Sequence, residues 1–401
     1  MNRIAHVPLA GGFALAAINV TKKYPIAITS YSPFINNDAL LIRYLNENLK
    51  ANVPYYILNK EKDLNDYDFS KEIDFVTAIP PCSGLSQAAQ RKAGSRGTAP
   101  PNDWMYISAE YVLEKIRPKA YAFENAPGLY TDAGNEVRKK LIEIGKKYGY
   151  AIIFYKTNTL YHGIPQFRPR TYGVFFKGKY APIFNYYNRP YINLKDYLKQ
   201  IPENASLQDV FFVEEWDITK FEIYKFLVKL YGNEWREKLI NYRPHITTYD
   251  YLLRTGKLDE FYEFQKNLPD ASEIVTRNIE HIKRKKSQGK GTRISYRVLE
   301  IDKEYTYAVI GEMMQRKIHP TEDRLLNMRE FMHLMGLPHD YNLISKKEYV
   351  KITQNVPVKT SEDIIIEIIE TIHGNRRFSS DSVYMQDNTK PKYYNKSKKL
   401  F

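Results

Sequence analysis

The 401-residue chain contains one cysteine, Cys82. A lone thiol forms no internal disulfide and no Cys-rich zinc site, which excludes a disulfide-stapled secreted scaffold and a structural zinc module. No run of about 18 apolar residues occurs, so no transmembrane helix is expected. Acidic residues are the smaller charged group: 46 Asp+Glu stand against 60 Lys+Arg, a formal net charge of +14. Apolar residues are not lacking. A content of 43% hydrophobic and 26% charged residues excludes wholesale disorder. The length suits roughly two or three domains. The 34 tyrosines and the basic balance fit a nucleic-acid partner, or a coding bias toward Lys, Asn and Tyr. The apolar run Val7–Val20 is rather like a secretory signal, but Arg3 alone precedes it, and Pro8, Gly11 and Gly12 interrupt it. A single thiol in a Lys-rich chain fits a reducing cytoplasm.

The first part alternates strands and helices. Ile26–Thr29, Ile73–Ile79, Ala120–Phe123 and Ala151–Tyr155 read as strands, and Tyr172–Phe176 is a further apolar run. Ala39–Leu49, Asp103–Ile116 and Asn135–Tyr148 have helical period, the last two closed by Pro118 and Gly149. This pattern predicts a largely parallel α/β sheet with ligands at the carboxyl ends of its strands. From about Lys179 to Arg277 the chain is Tyr- and Asn-rich without regular alternation. Arg277–Arg297 is strongly basic, with Lys283, Arg284, Lys285, Lys286, Lys290 and Arg293 among its cations. Asn327–Met335 reads as a short helix. Thr360–His373 reads as a helix with Thr360 as N-cap and Ile364, Ile365, Ile368, Ile369 and Ile372 on one face. Arg376–Phe401 is polar and basic, and is expected to be a mobile tail.

Three stretches carry chemistry. Cys82 follows the strand Ile73–Ile79 in Ile-Pro-Pro-Cys-Ser-Gly-Leu-Ser, which puts a thiol on a stiffened loop at a strand's carboxyl end. The plain alternative is a buried, inert cysteine. Glu124 and Asn125 follow the strand Ala120–Phe123; a carboxylate there needs a partner unless it lies in a solvated loop. Gln166, Arg168 and Arg170 alternate, so an extended segment turns them to one side, where two guanidinium groups suit an anion or a carbonyl oxygen.

In this order the stretches resemble the DNA cytosine-5 methyltransferase family. Pro81, Cys82 and Ser86 match its nucleophile motif. Glu124-Asn125-Ala126 matches its Glu-Asn-Val motif, and Gln166, Arg168 and Arg170 match Gln-x-Arg-x-Arg. His319-Pro320-Thr321-Glu322-Asp323-Arg324 through Gly336-Leu337-Pro338 looks like the stretch after target recognition, and Asn355-Val356-Pro357 looks like the final motif. The resemblance covers roughly residues 1–375 and leaves the middle unmatched. It implies a Rossmann-like methyltransferase large domain from 1–180, completed by 352–375, and a smaller, irregular target-recognition domain over 181–350.

The resemblance further implies transfer of a one-carbon group to C5 of a cytosine flipped out of double-stranded DNA. Cys82 would add to C6, Glu124 would act at N3, and Arg168 or Arg170 would act at O2. Pro81, Ser86, Asn125 and Gln166 would shape the base site. Lys283, Arg284, Lys285, Lys286, Lys290 and Arg293 are candidates for phosphate contacts, or form a solvated charged segment. S-adenosylmethionine is the implied donor and no metal is implied. Leu9, Ala10, Gly11, Gly12 and Phe13 stand at the family's Gly-rich loop, Asp63 matches a later Asp, and Asn355 and Val356 stand in the final motif.

The departures gather at the cofactor stretches. The loop keeps Gly11-Gly12 but lacks the stacking Phe and the first Gly. No carboxylate follows the second strand until Asp38. Lys359 follows the final motif and is a candidate partner for a carboxylate on a modified donor. Alternatives are the same base chemistry with another donor, a silent DNA-binding relative, or an RNA cytosine methyltransferase. A monomer in the cytoplasm of a prokaryotic or virus-infected cell is expected.

Overall fold

A computed structural model describes residues 2–6, 12–21, 23–24, 26–30, 47, 72–80, 85, 103–202, 217–289, 299–308, 316–341 and 349–389. The chain divides into two compact units: Met1–Tyr191 with Leu334–Phe401, and Ile192–His333.

The first unit is built on a Rossmann-like α/β sheet. Its seven strands among the described residues are β1 (Asn2–His6), β2 (Ile26–Ser30), β3 (Phe75–Ala78), β4 (Ala120–Asn125), β5 (Tyr150–Asn158), β6 (Pro169–Lys177) and β7 (Val383–Asp387), in the order β7-β5-β6-β4-β3-β1-β2. Neighbours are parallel except β6, which runs antiparallel to both β4 and β5. All of β3 and β4 is buried, as expected of strands covered on both faces. Gly173 lies opposite Phe123 in the β4–β6 register. A Cβ there would fall 2.3 Å from the Phe123 ring, so the aromatic occupies the space a side chain would need. Tyr121 and Phe175 stack alongside at 5.9 Å.

Helices α1 (Gly12–Thr21), α2 (Asp103–Tyr111), α3 (Asn135–Tyr148) and α4 (Val358–Ile372) belong to this unit. The α3 stripe Val137, Leu141 and Ile144 is buried, while Lys146 and Lys147 lie in its last turn, where the helix dipole favours cations. The expected helix 103–116 forms, but its last turn, Val112–Ile116, widens to i→i+5 hydrogen bonding, with Arg117 N–H on the Val112 carbonyl.

Several expectations change. Thr360 is not the N-cap: Pro357, already at φ −60°, occupies that position, and α4 begins two residues before Thr360. α4 is not buried on one face alone, because Asp363 and Glu367 are buried with its isoleucines. The stretch after Arg376 is not simply a tail. Val383–Asp387 pairs with β5, and the Gln386 amide bonds both backbone groups of Phe184. Ala181 and Ile183 bond the backbone of Asp381 and Arg377, which is why the first unit reaches Tyr191 rather than about 180. The expected helix Ala39–Leu49 lies outside the described residues, Glu47 apart.

The second unit is helical rather than irregular. Glu222–Tyr231, Trp235–Tyr242, Thr248–Arg254, Leu258–Lys266 and Glu273–Ser287 are helices. Their inner faces use Phe226, Trp235, Tyr249, Tyr251 and Phe261, so aromatic residues carry a periodicity that reads as Tyr-rich loop in the sequence. His319–Arg324 is a structural knot: Arg236 bonds the Pro320 and Glu322 carbonyls, and Arg324 pairs with Glu330 at 2.8 Å. Among the described residues no helix is long and apolar enough to cross a membrane.

Candidate active site

The parallel register Ala78↔Phe123 brings the carboxyl ends of β3 and β4 to one edge. The chain leaving β3 there leads to Pro81, Cys82 and Ser86, which lie outside the described residues. Glu124 is inside β4, not after it, and is 2% exposed. The Nε of Arg170 stands 2.6 Å from Glu124 Oε1 as a close ion pair, yet its N–H is not aligned on that oxygen, which has no hydrogen-bond partner among the described residues. Burial pushes the Glu124 carboxyl above the ordinary range, against the opposing pull of Arg170 and Arg168. The structure therefore supplies a carboxyl that holds its proton to higher pH than a solvated one.

Glu124 faces Tyr172 across the β4–β6 register. Tyr172 is fully buried, and burial, with Glu124 next, drives its phenol well above the usual range. Asn125 points to the other face by strand alternation: its Nδ2 donates to Met105 Sδ at 3.1 Å, and its Oδ1 accepts the Ala126 N–H. The expected substrate residue Asn125 thus acts as a turn brace here.

Gln166, Arg168 and Arg170 do not share one side, which corrects the reading from alternation. The Arg168 N–H donates to the Gln166 carbonyl and to Asn158 Oδ1, so the chain turns at Phe167 before β6 begins. Their side chains reach three different places. Gln166 Nε2 donates to the Leu334 carbonyl at 3.1 Å. Arg168, fully buried, donates from one terminal nitrogen to the carbonyls of Thr353 at 2.6 Å and Asn355 at 3.0 Å. Only Arg170 meets Glu124.

The cofactor stretches meet as well. The Gly12 N–H, at the start of α1, donates to Asn355 Oδ1 at 3.0 Å. A Cβ on Gly12 would lie 2.1 Å from the Val356 carbonyl oxygen, so only glycine permits this approach. Phe13 packs edge-on against Tyr172 with ring centres 6.1 Å apart. Asn355 therefore joins both halves: its side chain holds the α1 N-terminus and its carbonyl holds Arg168. The loop before α1 and the final motif thus meet at the start of α1. Leu9, Ala10, Gly11, Asp38 and Asp63 lie outside the described residues. Lys359 is engaged elsewhere, 2.8 Å from Glu362, which also accepts from Asn19.

The basic segment is a helix as far as Ser287. Lys283 is bound to Asp259 at 2.5 Å and lies over the Tyr262 ring, and Arg277 pairs with Glu273. Arg284, Lys285 and Lys286 occupy the last turn, a position the helix dipole favours without any ligand. Lys290 and Arg293 lie outside the described residues.

Tyr172, Asp363 and Glu367 have no role that their sequence context announces. The signal for the two acids is there to be read: carboxylates four residues apart within Ile364, Ile365, Ile368 and Ile369 require buried partners.

A family profile of C-5 cytosine-specific DNA methylases matches residues 10–370. The Type II methyltransferase M.BsuRI of Bacillus subtilis is 28% identical over 130 residues, 32% of this chain and 29% of that protein. The Type II methyltransferase M.BanI of Aneurinibacillus aneurinilyticus is 32% identical over 123 residues, 29% of this chain and 27% of that protein. The chain thus spans less than a third of the length of these two relatives. The solved structure of a candidate DNA modification methyltransferase encoded within an E. coli prophage superposes with a TM-score of 0.53 at 16% identity, covering 93% of this chain and 99% of that one.

Proposed function

The chain belongs to the C-5 cytosine-specific DNA methylase family, and from that premise we propose that it transfers a methyl group to C5 of cytosine in double-stranded DNA. The observation that carries this reading is the buried Glu124 carboxyl, raised above its ordinary range and 2.6 Å from Arg170. Cytosine C5 is too electron-poor to attack an electrophile. The Cys82 thiolate adds to C6, and the electron pair displaced from the C5–C6 bond makes C5 nucleophilic. Negative charge builds toward N3 and O2. Glu124 in its protonated form hydrogen-bonds or protonates N3, and Arg170 stabilises O2.

S-adenosylmethionine, when bound, would supply the methyl electrophile, its S–CH3 bond breaking to leave S-adenosylhomocysteine. Gly12, Phe13, Asn355 and Val356 are the described residues that would hold it. After transfer the C5 proton leaves to a base, the C6–S bond breaks, and the thiolate returns with the product released. The base must leave the duplex to reach such a site, at a cost of a few kcal/mol. Phosphate contacts from Arg284, Lys285 and Lys286 would offset that cost.

Duplex DNA carrying 5-fluorocytosine tests the reading, because fluorine at C5 blocks the elimination step. A covalent complex that forms with the unaltered protein and is lost in Cys82→Ala is expected. No complex, or one that persists in Cys82→Ala, overturns the mechanism. Nucleoside mass spectrometry of DNA exposed to the protein reports the target base and the added group.

A further inference from the structure

Beside the Arg170–Glu124 pair lies a chain of buried polar side chains with no part in the chemistry above. Asn388, just past β7, accepts the Tyr187 backbone N–H at its Oδ1, 2.9 Å away. This orients its Nδ2 toward Thr157 Oγ1, to which it donates at 2.9 Å. Thr157 Oγ1 is 2.7 Å from His162 Nε2, and His162 Nδ1 is 2.8 Å from Asp363 Oδ2 on α4. Asp363 Oδ1 accepts from the Arg189 guanidinium. Thr157, His162 and Asn388 are fully buried.

The donor inventory assigns the hydrogens. A carboxylate beside a guanidinium only accepts, so His162 Nδ1 carries a hydrogen. Thr157 oxygen already accepts from Asn388, and its hydroxyl hydrogen is free to point at Nε2. Burial disfavours a charged ring, and Arg189 does likewise, against the opposing effect of Asp363. The Tyr187 ring covers the imidazole at 5.1 Å. A neutral ring with a bare Nε2 satisfies every partner.

The location gives this chain a task. Thr157 is directly opposite Arg170 in the β5–β6 register, so the two side chains share one face about 5 Å apart at Cβ. His162 opens the turn that leads to Gln166, Arg168 and Arg170. We propose that His162, as a neutral Nδ1–H imidazole, is a positioning residue that ties this turn to α4 and holds Arg170 against Glu124. The role in catalysis rests on the cytosine reading above; the tautomer does not.

Two measurements test it. Long-range nitrogen–proton NMR of the full chain, with His162→Asn used to assign the signal, should show a neutral Nδ1–H ring from about pH 7 to pH 8. An Nε2–H tautomer or a doubly protonated ring overturns the assignment. The second measurement is the rate of adduct formation on 5-fluorocytosine DNA. His162→Phe fills the space without a donor and should lose about 10- to 100-fold, a misplacement effect, while DNA affinity stays near that of the unaltered protein. His162→Asn keeps a donor near Nδ1 and should recover most of the rate. An adduct rate in His162→Phe equal to the unaltered protein's, or His162→Asn falling as far as His162→Phe, refutes the positioning role. Failure of the unaltered protein to form an adduct refutes the proposed reaction instead, and the tautomer then judges His162 by itself.

Discussion

The two arginines of the Gln-x-Arg-x-Arg segment should fail in different ways when each is replaced by methionine. Arg168 is fully buried and donates to the Thr353 and Asn355 carbonyls at 2.6 and 3.0 Å. Hydrogen bonds from a charged donor contribute about 1.5–3 kcal/mol each, so removing both should cost about 3–5 kcal/mol. At roughly 2–4 °C per kcal/mol, the melting transition of the large unit should fall by about 10 °C. Arg170 is less buried, and its partner Glu124 can take up a proton when the cation is removed. Arg170→Met should therefore fold with little loss at acidic pH, within the ordinary carboxyl range, yet lose activity. Removing Arg170 lifts the Glu124 carboxyl further, so the variant should lose stability as pH rises through that lifted value. Thermal melts at several pH values, with adduct formation in parallel, read both effects. If Arg168→Met melts with the unaltered protein, or Arg170→Met is the less stable of the two at acidic pH, the assignment of structural and chemical roles is wrong.

Other consequences follow from the same geometry. Glu124→Gln should lower turnover by about 10²–10⁴-fold and abolish the alkaline fall in rate expected as Glu124 loses its proton. Because the Glu124 pKa is raised on folding, its stabilising effect is complete at low pH and is lost as pH rises, so Glu124→Gln should be relatively more stable in alkaline melts. Gly12→Ala places a Cβ 2.1 Å from the Val356 carbonyl oxygen and should weaken S-adenosylmethionine binding by calorimetry; unchanged affinity would place the cofactor elsewhere. Lys285→Gln with Lys286→Gln should reduce the slope of log affinity for duplex DNA against log salt by about 0.9 for each phosphate no longer neutralised, and an unchanged slope assigns both lysines to the helix dipole alone.

Much of the large unit is legible along the chain because local chemistry decides it. The apolar run Ile73–Ile79, the stripe of Asn135–Tyr148 and the stop at Gly149 each contain their own signal, and the structure places elements there. The family resemblance rests on ordered residue types, which need no geometry to be recognised. What the sequence does not reveal is partnership. Nothing near Arg168 announces that Thr353, 185 residues away, will take one of its hydrogen bonds. Alternation suggests that Arg168 and Arg170 act together; the turn at Phe167 separates them.

The same limit applies at the carboxyl terminus. Its polar, basic composition reads as a tail, yet Val383–Asp387 finds an open edge of β5, and Gln386 and Asn388 become buried amides. Composition measures what a segment can bury against water, whereas a strand's place in a sheet depends on which backbone edge is free. Sequence by itself determined the class of fold and the order of the family's motifs. Tertiary structure decided which arginine meets Glu124, where Gly12 must remain glycine, and which charges are buried in pairs, because each of those depends on contacts between residues far apart in the chain.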